Sequence, residues 1–492
     1  MKYKMVGLML LSTFFLMSAC ANTNVEKAPI QEGTGQKFRG MMPRHHGQGL
    51  TLNDSLGTNQ LKVPKVLESD RADGNDVYYT VKAQVGKTSI FKGEKTKTLG
   101  YNGDFLGPVI KVKKGQKVHI KTVNQLKEDT TFHWHGLILP GKGDGGPHEV
   151  VKPGEEKEIS FHVNQGASTL WFHPHPLHKT GEQVYRGLAG LLMIEDEHEQ
   201  ALSLPREYGE NDFPIILQDR FFTTDNQLDY QAVKNEDGTM GNILLINGTV
   251  DPYLEVKPEK IRLRLLNGSN MRNYRLSLSD DLEFQQIASD GGLLNEPLNR
   301  TSIFLTPSER AEVVLDLSRY KDGDVVKIIN EDGAVVLPIK IKGASKETSS
   351  LPMKLNEIEK EDLSNQEVTK KVTLAGMGRM VTINGKKFDP HRVDFTQKVG
   401  EEEIWEIYNQ PTPMGGMIHP FHIHGTQFKV LSINGKEPPK SEQGYKDTVA
   451  VRPDERVKIA VRFEEEGMYM FHCHILEHED NGMMGQINVT KE

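Results

Sequence analysis

The chain has 492 residues, a length that predicts about three domains of ordinary size. Apolar residues make up 36% and charged residues 26%, and the 46 glycines and 24 prolines indicate a turn-rich globular protein. The net charge of −8 and the lack of a basic stripe exclude nucleic acid as an expected partner.

The amino terminus has the pattern of an export signal. Two lysines precede an apolar run over residues 5–17, which is too short to span a bilayer as a stable helix. The run ends at Ser18-Ala19-Cys20, which resembles a bacterial lipoprotein box, although Ala19 and Cys20 also fit an ordinary cleavage site that releases the protein. We predict a signal peptide over 1–20 and an exported protein. It is either held at the outer face of the cell membrane by a lipid on Cys20, or secreted or periplasmic.

A polar, glycine-rich segment over residues 21–59 follows the signal and predicts a flexible tether. It contains Met41-Met42-Pro43-Arg44-His45-His46, which offers thioether and imidazole ligands for copper. A flexible segment without a ligand explains the same residues, so both interpretations stay open. We expect the protein to contact the membrane only through the amino-terminal anchor.

Beyond the tether, one pattern occurs three times. The motifs Pro153-Gly154-Glu155, Pro307-Ser308-Glu309 and Pro453-Asp454-Glu455 are each followed by alternating apolar residues, the period of a half-buried strand. Helical periodicity is scarce, so the repeats predict an all-β fold of three consecutive units. The predicted boundaries are 60–197 for domain one, 205–345 for domain two, 346–369 for a linker and 370–492 for domain three.

The histidines are distributed unevenly over these predicted domains. None of the 18 lies between His198 and His391, so domain two supplies no imidazole. Four His-x-His pairs occur in domains one and three, and in a strand such a pair places both rings on one face, which suits a shared metal cluster. The eight paired histidines are His133, His135, His173, His175, His422, His424, His472 and His474.

A second metal site follows from residues outside these pairs. Cys473 is the only cysteine beyond the signal, and an unliganded thiol is prone to oxidation in an exported protein. Because side chains alternate along a strand, Cys473 points away from the two histidines that flank it, and His419 points away from His422. A set of imidazole, thiolate and thioether ligands suits copper better than zinc, whose structural sites are closed and tetrahedral. The predicted ligands are His419, Cys473, His478 and Met483.

Four motifs then carry a resemblance to a known family. His-Trp-His-Gly, Trp-Phe-His-Pro-His, His-Pro-Phe-His-Ile-His-Gly and His-Cys-His-Ile-Leu-Glu-His-Glu-Asp resemble the copper motifs of three-domain multicopper oxidases, in particular bacterial laccases and copper-efflux oxidases. The resemblance covers roughly residues 60–492. It implies three consecutive cupredoxin-like Greek-key β-sandwich or barrel domains. It also implies four coppers per chain, one of type 1, one of type 2 and two of type 3.

The resemblance also implies a role for each motif residue. The type 1 copper ligands are matched by His419, Cys473, His478 and, in the axial position, Met483. The type 2 ligands are matched by His133 and His422. The ligands of the paired type 3 coppers are matched by His135, His173, His175, His424, His472 and His474. The family's carboxylates on the proton path, which act as general acids, are matched by Asp144 and Glu479.

The implied activity is that of an oxidoreductase with dioxygen as acceptor. A reductant gives single electrons near the edge of His419 or His478, and Cys473 passes them through the backbone to His472 and His474. The three-copper cluster then reduces dioxygen to two waters. We expect laccase activity toward phenols, aromatic amines or metal ions, from a protein that is a monomer.

The sequence leaves the reductant open. The chain lacks the long Met-rich insertion that copper-efflux oxidases often carry, so we expect the type 1 edge to be open to larger phenols and aromatic amines. Asp447 falls where that subfamily has an acidic residue in the cuprous-oxidase region, which makes cuprous oxidation for copper tolerance the alternative activity. The methionines available for such a role are Met353, Met377, Met380, Met414 and Met417.

Two other functions fit the pattern less well. A copper nitrite reductase has two cupredoxin-like domains and a catalytic copper with three imidazoles, so it has no use for eight paired histidines. A copper-sequestering lipoprotein without enzymatic activity is a further alternative. Degenerate relatives lose ligands, however, and none of the twelve ligand positions is lost in this chain.

Overall fold

The computed structural model describes residues 49–52, 54–344, 350–359, 367–413 and 415–491. The predicted signal peptide with Cys20, nearly all of the predicted tether including the segment 41–46, and Met414 lie outside the described residues. Within the described part of the chain, no helix is both long and apolar enough to cross a membrane.

The described chain consists mainly of strands, and its α-helices have at most six residues. The elements up to residue 201 are β1 (Asn59–Gln60), β2 (Arg71–Asp73), β3 (Asp76–Thr88), β4 (Thr96–Tyr101), β5 (Val109–Lys113), β6 (Lys117–Asn124), β7 (His133–His135), β8 (Glu156–His162), β9 (Ser168–His173), α1 (Thr180–Tyr185), β10 (Gly190–Glu195) and α2 (Glu197–Ala201).

The elements of the middle part are β11 (Asp212–Arg220), α3 (Tyr230–Val233), β12 (Ile243–Ile246), β13 (Thr249–Val250), β14 (Pro252–Val256), β15 (Lys260–Asn267), β16 (Tyr274–Leu278), β17 (Phe284–Ser289), β18 (Gly292–Arg300), β19 (Ser302–Leu305), β20 (Arg310–Asp316), β21 (Val325–Ile329) and β22 (Val335–Ile341).

The elements of the last part are β23 (Val368–Ala375), β24 (Thr382–Ile383), β25 (Phe395–Lys398), β26 (Glu402–Asn409), β27 (His419–Ile423), β28 (Phe428–Ile433), β29 (Tyr445–Lys446), β30 (Thr448–Val451), β31 (Arg456–Arg462), β32 (Gly467–Cys473), α4 (Leu476–Asp480) and β33 (Met484–Thr490). Short 3-10 turns span Gly141–Gly143, Ser279–Asp281, Gly378–Met380 and Lys440–Glu442.

The strands form six sheets, and each pair of sheets encloses one apolar core. In sandwich one, β5-β10-β9-β7 face β2-β3-β6-β8, with β4 added to β3. In sandwich two, β13-β12-β11-β15-β20-β17-β18 face β1-β14-β22-β21-β16-β19. In sandwich three, β24-β23-β26-β31-β28-β29 face β25-β33-β32-β27-β30. The all-β prediction is confirmed, while the exact domain boundaries stay predictions.

The repeated Pro-x-Glu motif forms the same turn in all three sandwiches. Its middle residue has a positive φ each time, 80° at Gly154, 72° at Ser308 and 62° at Asp454. The glutamate side chain then accepts a hydrogen bond from the main-chain N–H three residues before it, with distances of 3.1, 2.8 and 2.9 Å in chain order. The turn therefore satisfies a backbone donor at the start of an equivalent strand in each repeat.

Buried contacts of two arginines join sandwich two to sandwich one. Arg262 on β15 donates from Nε to Oε2 of Glu312 at 2.8 Å and from Nη1 to Oε1 of Glu199 at 2.5 Å. Arg264 on the same strand donates from Nη1 to the hydroxyl of Thr169 in sandwich one at 3.0 Å. These contacts fix sandwich one against sandwich two without involving a histidine.

Candidate metal centre

The thiol of Cys473 lies in a buried group with two imidazoles. Cys473 ends β32, and its Sγ is 3.3 Å from Nδ1 of His419 and 3.7 Å from Nδ1 of His478. His478 follows on α4, and the main-chain N–H of Met483 donates to its carbonyl oxygen at 2.9 Å. All four side chains are buried, and Met483 packs in the same apolar core as the cysteine.

The electrostatics of this group favour a bound cation. Burial lowers the pKa of His419 to about 4 and raises the pKa of the Cys473 thiol well above its ordinary value. Without a cation the site therefore holds neutral imidazoles and a protonated thiol. A metal ion requires the thiolate and supplies the positive charge that makes a buried thiolate stable.

The eight paired histidines come together where sandwich one meets sandwich three. On β7 and β9, His133 pairs opposite His173, and on β27 and β32, His422 pairs opposite His472. The two halves face each other directly, with a ring-centroid distance of 3.7 Å between His133 and His424. All eight side chains are at most 1% exposed, so the strand alternation predicted from the sequence builds one closed cluster.

Within the cluster, the imidazoles divide into smaller groups. His424 Nε2 lies 3.0 Å from Nε2 of His472, and His175 Nε2 lies 3.2 Å from the same nitrogen. The rings of His135 and His173 lie with centroids 5.1 and 5.4 Å from that of His474. This division into two groups of three, with the remaining rings of His133 and His422 5.8 Å apart, suits several ions rather than one.

The outer ring nitrogens are held by the protein, and the inner ones are unpaired. Nδ1 of His133, His173 and His422 donates to the main-chain oxygens of Asp144, Pro174 and Asp447 at 2.9, 2.9 and 2.7 Å. Nε2 of each of these rings is buried with no hydrogen-bond partner in the described part of the chain. Lone pairs directed into a closed cluster fit metal ions.

Burial favours the neutral form of seven of the eight cluster imidazoles, and the neutral form is the one that binds a metal ion. It lowers the pKa of His472 to about 3. It also lowers the pKa of six further members, and neighbouring rings act in the same direction on most of them. These six are His135, His173, His175, His422, His424 and His474.

Two buried carboxyl groups touch different parts of the cluster. Asp144 follows the turn Gly141–Gly143, and its Oδ2 accepts a hydrogen bond from Nδ1 of His424 at 2.6 Å. Glu479 on α4 places Oε1 3.3 Å from Nε2 of His175 and Oε2 3.3 Å from Nδ1 of His472. Burial, assisted by the charge of Asp480, raises the pKa of Glu479 well above its ordinary value. Both residues therefore lie where a proton can be exchanged with the cluster.

A third carboxyl group near Asp144 is missing from the sequence prediction. Glu149 accepts a hydrogen bond from the N–H of Gly145 at 3.1 Å, and burial together with the charge of Asp144 raises its pKa to about 7. Asp144, His148 and Glu149 line one cavity of about 350 Å³. Proximity to Asp144 in the sequence was the only available signal for Glu149.

Asp447 and its partner Arg310 also belong to the cluster region. Asp447 is fully buried, and Nε2 of His135 donates to its Oδ1 at 3.0 Å. Asp447 therefore contacts the histidine cluster, and the resemblance of its position to an acidic residue of the cuprous-oxidase region stays a prediction. β30 pairs with β27 so that Thr448 lies opposite His422, and this register carries the preceding Asp447 to the cluster.

The edge of the Cys473 group is covered rather than open. His419 is 2% exposed and His478 is fully buried. Residues 236–239 of sandwich two lie over this edge: Thr239 N–H donates to Oε2 of Glu477 at 3.0 Å, and Nδ2 of Asn481 donates to Oε2 of Glu236 at 2.9 Å. These two contacts flank His478, so the prediction of an open type 1 edge is wrong.

The methionines near this edge differ in their surroundings. Met417 is 8% exposed and packs in the core that contains Cys473, and Met377 packs against the same core. Met353 and Met380 are 91% and 78% exposed. Of the methionines named from the sequence for cuprous oxidation and described in the structure, only Met377 and Met417 contact that core.

Comparisons with known proteins agree with this arrangement. Three family models, each described as "Multicopper oxidase", match residues 82–199, 211–324 and 355–492. "Multicopper oxidase mco" of Staphylococcus haemolyticus is 53% identical over 447 residues, 91% of this chain and 96% of that protein. The crystal structure of a laccase from Pediococcus acidilactici superposes with a TM-score of 0.85 at 46% identity, over 89% of this chain and 95% of that one. "Cell division protein FtsP" of Photorhabdus laumondii is 36% identical over 454 residues, 87% of this chain and 91% of that protein.

Proposed function

This chain belongs to the multicopper oxidase family, and we propose that it takes single electrons from phenols, aromatic amines or metal ions. It is an oxidoreductase with cupredoxin-like domains, a copper cofactor and dioxygen as acceptor, as predicted from its motifs. Four coppers per chain are typical of the family, and the two histidine groups described above fit them. Bound copper supplies one-electron transfer and the four-electron reduction of dioxygen to water.

The proposed ligand assignment follows the Cys473 group and the cluster of eight histidines. The type 1 ligands are His419, Cys473 and His478, with Met483 as the axial ligand. The type 2 ligands are His133 and His422. The type 3 ligands are His135, His173 and His474 for one ion and His175, His424 and His472 for the other. The shared orientation of unpaired ring nitrogens and the close nitrogen–nitrogen distances support this assignment.

The observation that carries the function is the position of Cys473 between two histidines of the cluster. The thiol faces the apolar core of sandwich three, and the side chains of His472 and His474 face the other way, toward sandwich one. A covalent path of a few bonds therefore joins the electron-accepting group to the oxygen-reducing group. No separate carrier is needed between them.

Proton supply is assigned to the carboxyl groups beside the cluster. Asp144 contacts His424 directly, and Glu479 contacts His175 and His472. The cavity shared by Asp144 and Glu149 supports a path from solvent to Asp144. Proton transfer by positioned carboxyl groups contributes about 10²- to 10⁴-fold to such reactions.

The cover over His478 bears on the choice of reductant. Laccase activity is the leading assignment. In it, a phenol binds outside the cover and its electron passes through the cover to the type 1 group. Cuprous oxidation is the second candidate, favoured by one observation: Met377 and Met417 pack beside the Cys473 core, and thioethers bind Cu(I). Rates for Cu(I), Fe(II), Mn(II) and a phenol, measured side by side, distinguish the two.

Location and assembly belong to the same proposal. The pattern over residues 1–20 supports export and a lipid on Cys20. A monomeric catalytic unit is part of the same proposal. Replacement of Cys20 by Ser is expected to abolish incorporation of labelled fatty acid and to release the protein from cells. Unchanged membrane attachment in this variant would contradict the lipid anchor.

Copper content measured together with oxygen uptake tests the function as a whole. We expect four coppers per chain, a blue absorption, and oxygen consumption with a phenol, Fe(II) or Cu(I). A colourless protein that stays inert toward all three donors after copper loading would rule out the oxidase. It would leave copper sequestration or another role without enzymatic activity; the relative of Photorhabdus laumondii is named as a cell division protein.

A further inference from the structure

The sandwich that supplies no imidazole reaches the histidine cluster through one arginine. Arg310 begins β20 of sandwich two, and its side chain is buried. Its Nη1 donates to Oδ1 of Asp447 at 2.7 Å, and its Nη2 donates to Oδ2 of Asp447 at 2.5 Å. A two-point contact of this kind fixes the plane of the carboxylate as well as its position.

Asp447 in turn contacts two imidazoles of the cluster. Nε2 of His135 donates to Oδ1 of Asp447 at 3.0 Å, and Nδ1 of His422 donates to the main-chain oxygen of Asp447 at 2.7 Å. With the proton of His135 held on Nε2, the lone pair lies on Nδ1, which is buried with no partner among the described residues. Asp447 therefore fixes the tautomer of His135 and the ring orientations of both His135 and His422.

We propose that Arg310 is a positioning residue of the oxygen-reducing centre, which acts by holding Asp447 against His135 and His422. The inference rests on the proposed assignment of these histidines to a type 3 and the type 2 copper. It gives sandwich two a part in oxygen reduction although that sandwich holds no ligand. None of the hydrogen bonds described for Arg310 goes to a histidine, and its two-point contact with the cluster region is made to Asp447.

The surroundings leave the arginine and the carboxylate little freedom. The three remaining donors of Arg310 are also used. Nε donates to the main-chain oxygen of Thr169, Nη1 to that of Ser308 and Nη2 to that of Asp290, each at 3.1 Å. A side chain at Gly136, the residue after His135, would place its Cβ 2.4 Å from Oδ2 of Asp447. The pair is thus packed against the backbone that carries the histidine.

A purely structural role is the alternative, since Arg310 joins sandwich two to sandwich three. The chain offers a matched control for that role. Arg262 lies on the neighbouring strand β15, is equally buried, and pairs with Glu312 and Glu199. None of the contacts described for Arg262 involves an imidazole. Loss of either arginine removes a buried ion pair, but only the loss of Arg310 disturbs a cluster histidine.

The experiment compares the copper-loaded variants Arg310→Met, Arg310→Lys and Arg262→Met. Measurements are copper per chain, the type 2 electron paramagnetic resonance signal, the type 3 near-ultraviolet absorption, the type 1 blue absorption and oxygen reduction. For Arg310→Met we expect altered type 2 and type 3 signals and a loss of about 10- to 100-fold in oxygen reduction, with an unchanged type 1 absorption. Arg310→Lys should restore part of this, because an ammonium keeps the charge without the two-point geometry. Arg262→Met should lower thermal stability and leave all copper signals unchanged.

The outcomes separate this inference from the proposed function. Wild-type type 2 and type 3 signals in Arg310→Met would overturn the inference, as would equal changes in Arg262→Met. If Arg310→Met does not fold, Asp447→Asn replaces it. That variant is expected to shift the same two signals, and unchanged signals would again overturn the inference. A wild-type protein that binds fewer than four coppers and takes up no oxygen would contradict the proposed function itself.

Discussion

At the end of β32, the side chains of consecutive residues alternate between two different surroundings. Cys473 faces an apolar core, and among the described residues its sulfur accepts a single main-chain hydrogen bond, from the N–H of Ile475 at 3.5 Å. Its neighbours His472 and His474 face a cluster bordered by Asp144, Glu479 and the Arg310–Asp447 pair. A group that only passes electrons needs a fixed, dry environment, whereas a group that reduces oxygen also needs protons and charge. The difference shows that one strand can build both a dry electron-transfer site and a polar oxygen-reducing site, because successive side chains point to opposite faces.

The largest effect is expected from removing the thiol. Cys473→Ser should abolish the blue absorption and donor oxidation, because a hydroxyl does not replace the thiolate ligand. The cluster face should keep its three coppers, as type 2 resonance and copper analysis would show. Oxidase activity retained by this variant would contradict the assignment of the electron-accepting group and remove the basis of the comparison.

The next largest effect concerns the carboxyl groups of the cluster face. Asp144→Asn and Glu479→Gln should each slow oxygen reduction about 100-fold, because neither amide delivers a proton. Anaerobic reduction of the type 1 group by a donor should be unchanged, as stopped-flow absorption would show. Glu156→Gln, an exposed position on β8, is the control. If type 1 reduction and oxygen reduction were slowed equally, the two faces of the strand would not have separate roles.

A smaller, pH-dependent effect is expected at Glu149. Its pKa in the folded protein, about 7, lies above its ordinary value of 4.5, so stability is lost as pH rises through 7. Glu149→Gln should therefore become more stable than the wild type as pH rises from 4.5 to 7, as thermal unfolding would show. If Glu149 supplies protons, oxygen reduction by the wild type should decline above pH 7, and Glu149→Gln should lack this decline.

The groups that face Glu149 set the conditions for this test. Asp144 and His148 line the cavity of about 350 Å³ together with Glu149. Lys142, Lys157 and Glu158 line a second cavity on which Glu149 also borders. Lys157 lowers the pKa of Glu149 and Asp144 raises it. Glu156→Gln should leave the pH profile unchanged, and identical profiles in wild type and Glu149→Gln would exclude Glu149 from the proton path.

The smallest effect is expected at the cover of the thiol face. Met417→Leu conserves volume but removes a thioether, so stability should change little. If cuprous oxidation occurs at this edge, the KM for Cu(I) should rise a few-fold while phenol oxidation stays constant. Met353→Leu, at a 91% exposed position, is the control. An unchanged KM for Cu(I) would leave laccase activity as the single assignment.

Much of this site was predictable because strand alternation is a local property. The period of two along His472, Cys473 and His474 separates the two faces before any tertiary structure is known. The fold was predictable for a similar reason, since the Pro-x-Glu turn with its left-handed middle residue recurs in each sandwich. Local geometry of this kind is determined by a few consecutive residues.

The remaining features depend on how the sandwiches dock, which no local pattern encodes. Asp447 and Arg310 are separated by 137 residues, and their contact requires sandwich two to lie against sandwich three. The cover at residues 236–239 has the same origin, so an edge expected to be open is closed. Alternation predicts which face a side chain occupies, but not which neighbour lies against that face.

The position of the histidine cluster also bears on how the folded chain resists unfolding. His175 and His472 approach each other across 297 residues, and Cys473 is the only cysteine of the described part. A cross-link that closes so long a loop removes conformational entropy from the unfolded chain, and this is worth about 6 kcal/mol in the chain-entropy model. Copper held by histidines of both halves would act as such a cross-link. The metal that reduces oxygen would therefore also stabilise the contact between the first sandwich and the last.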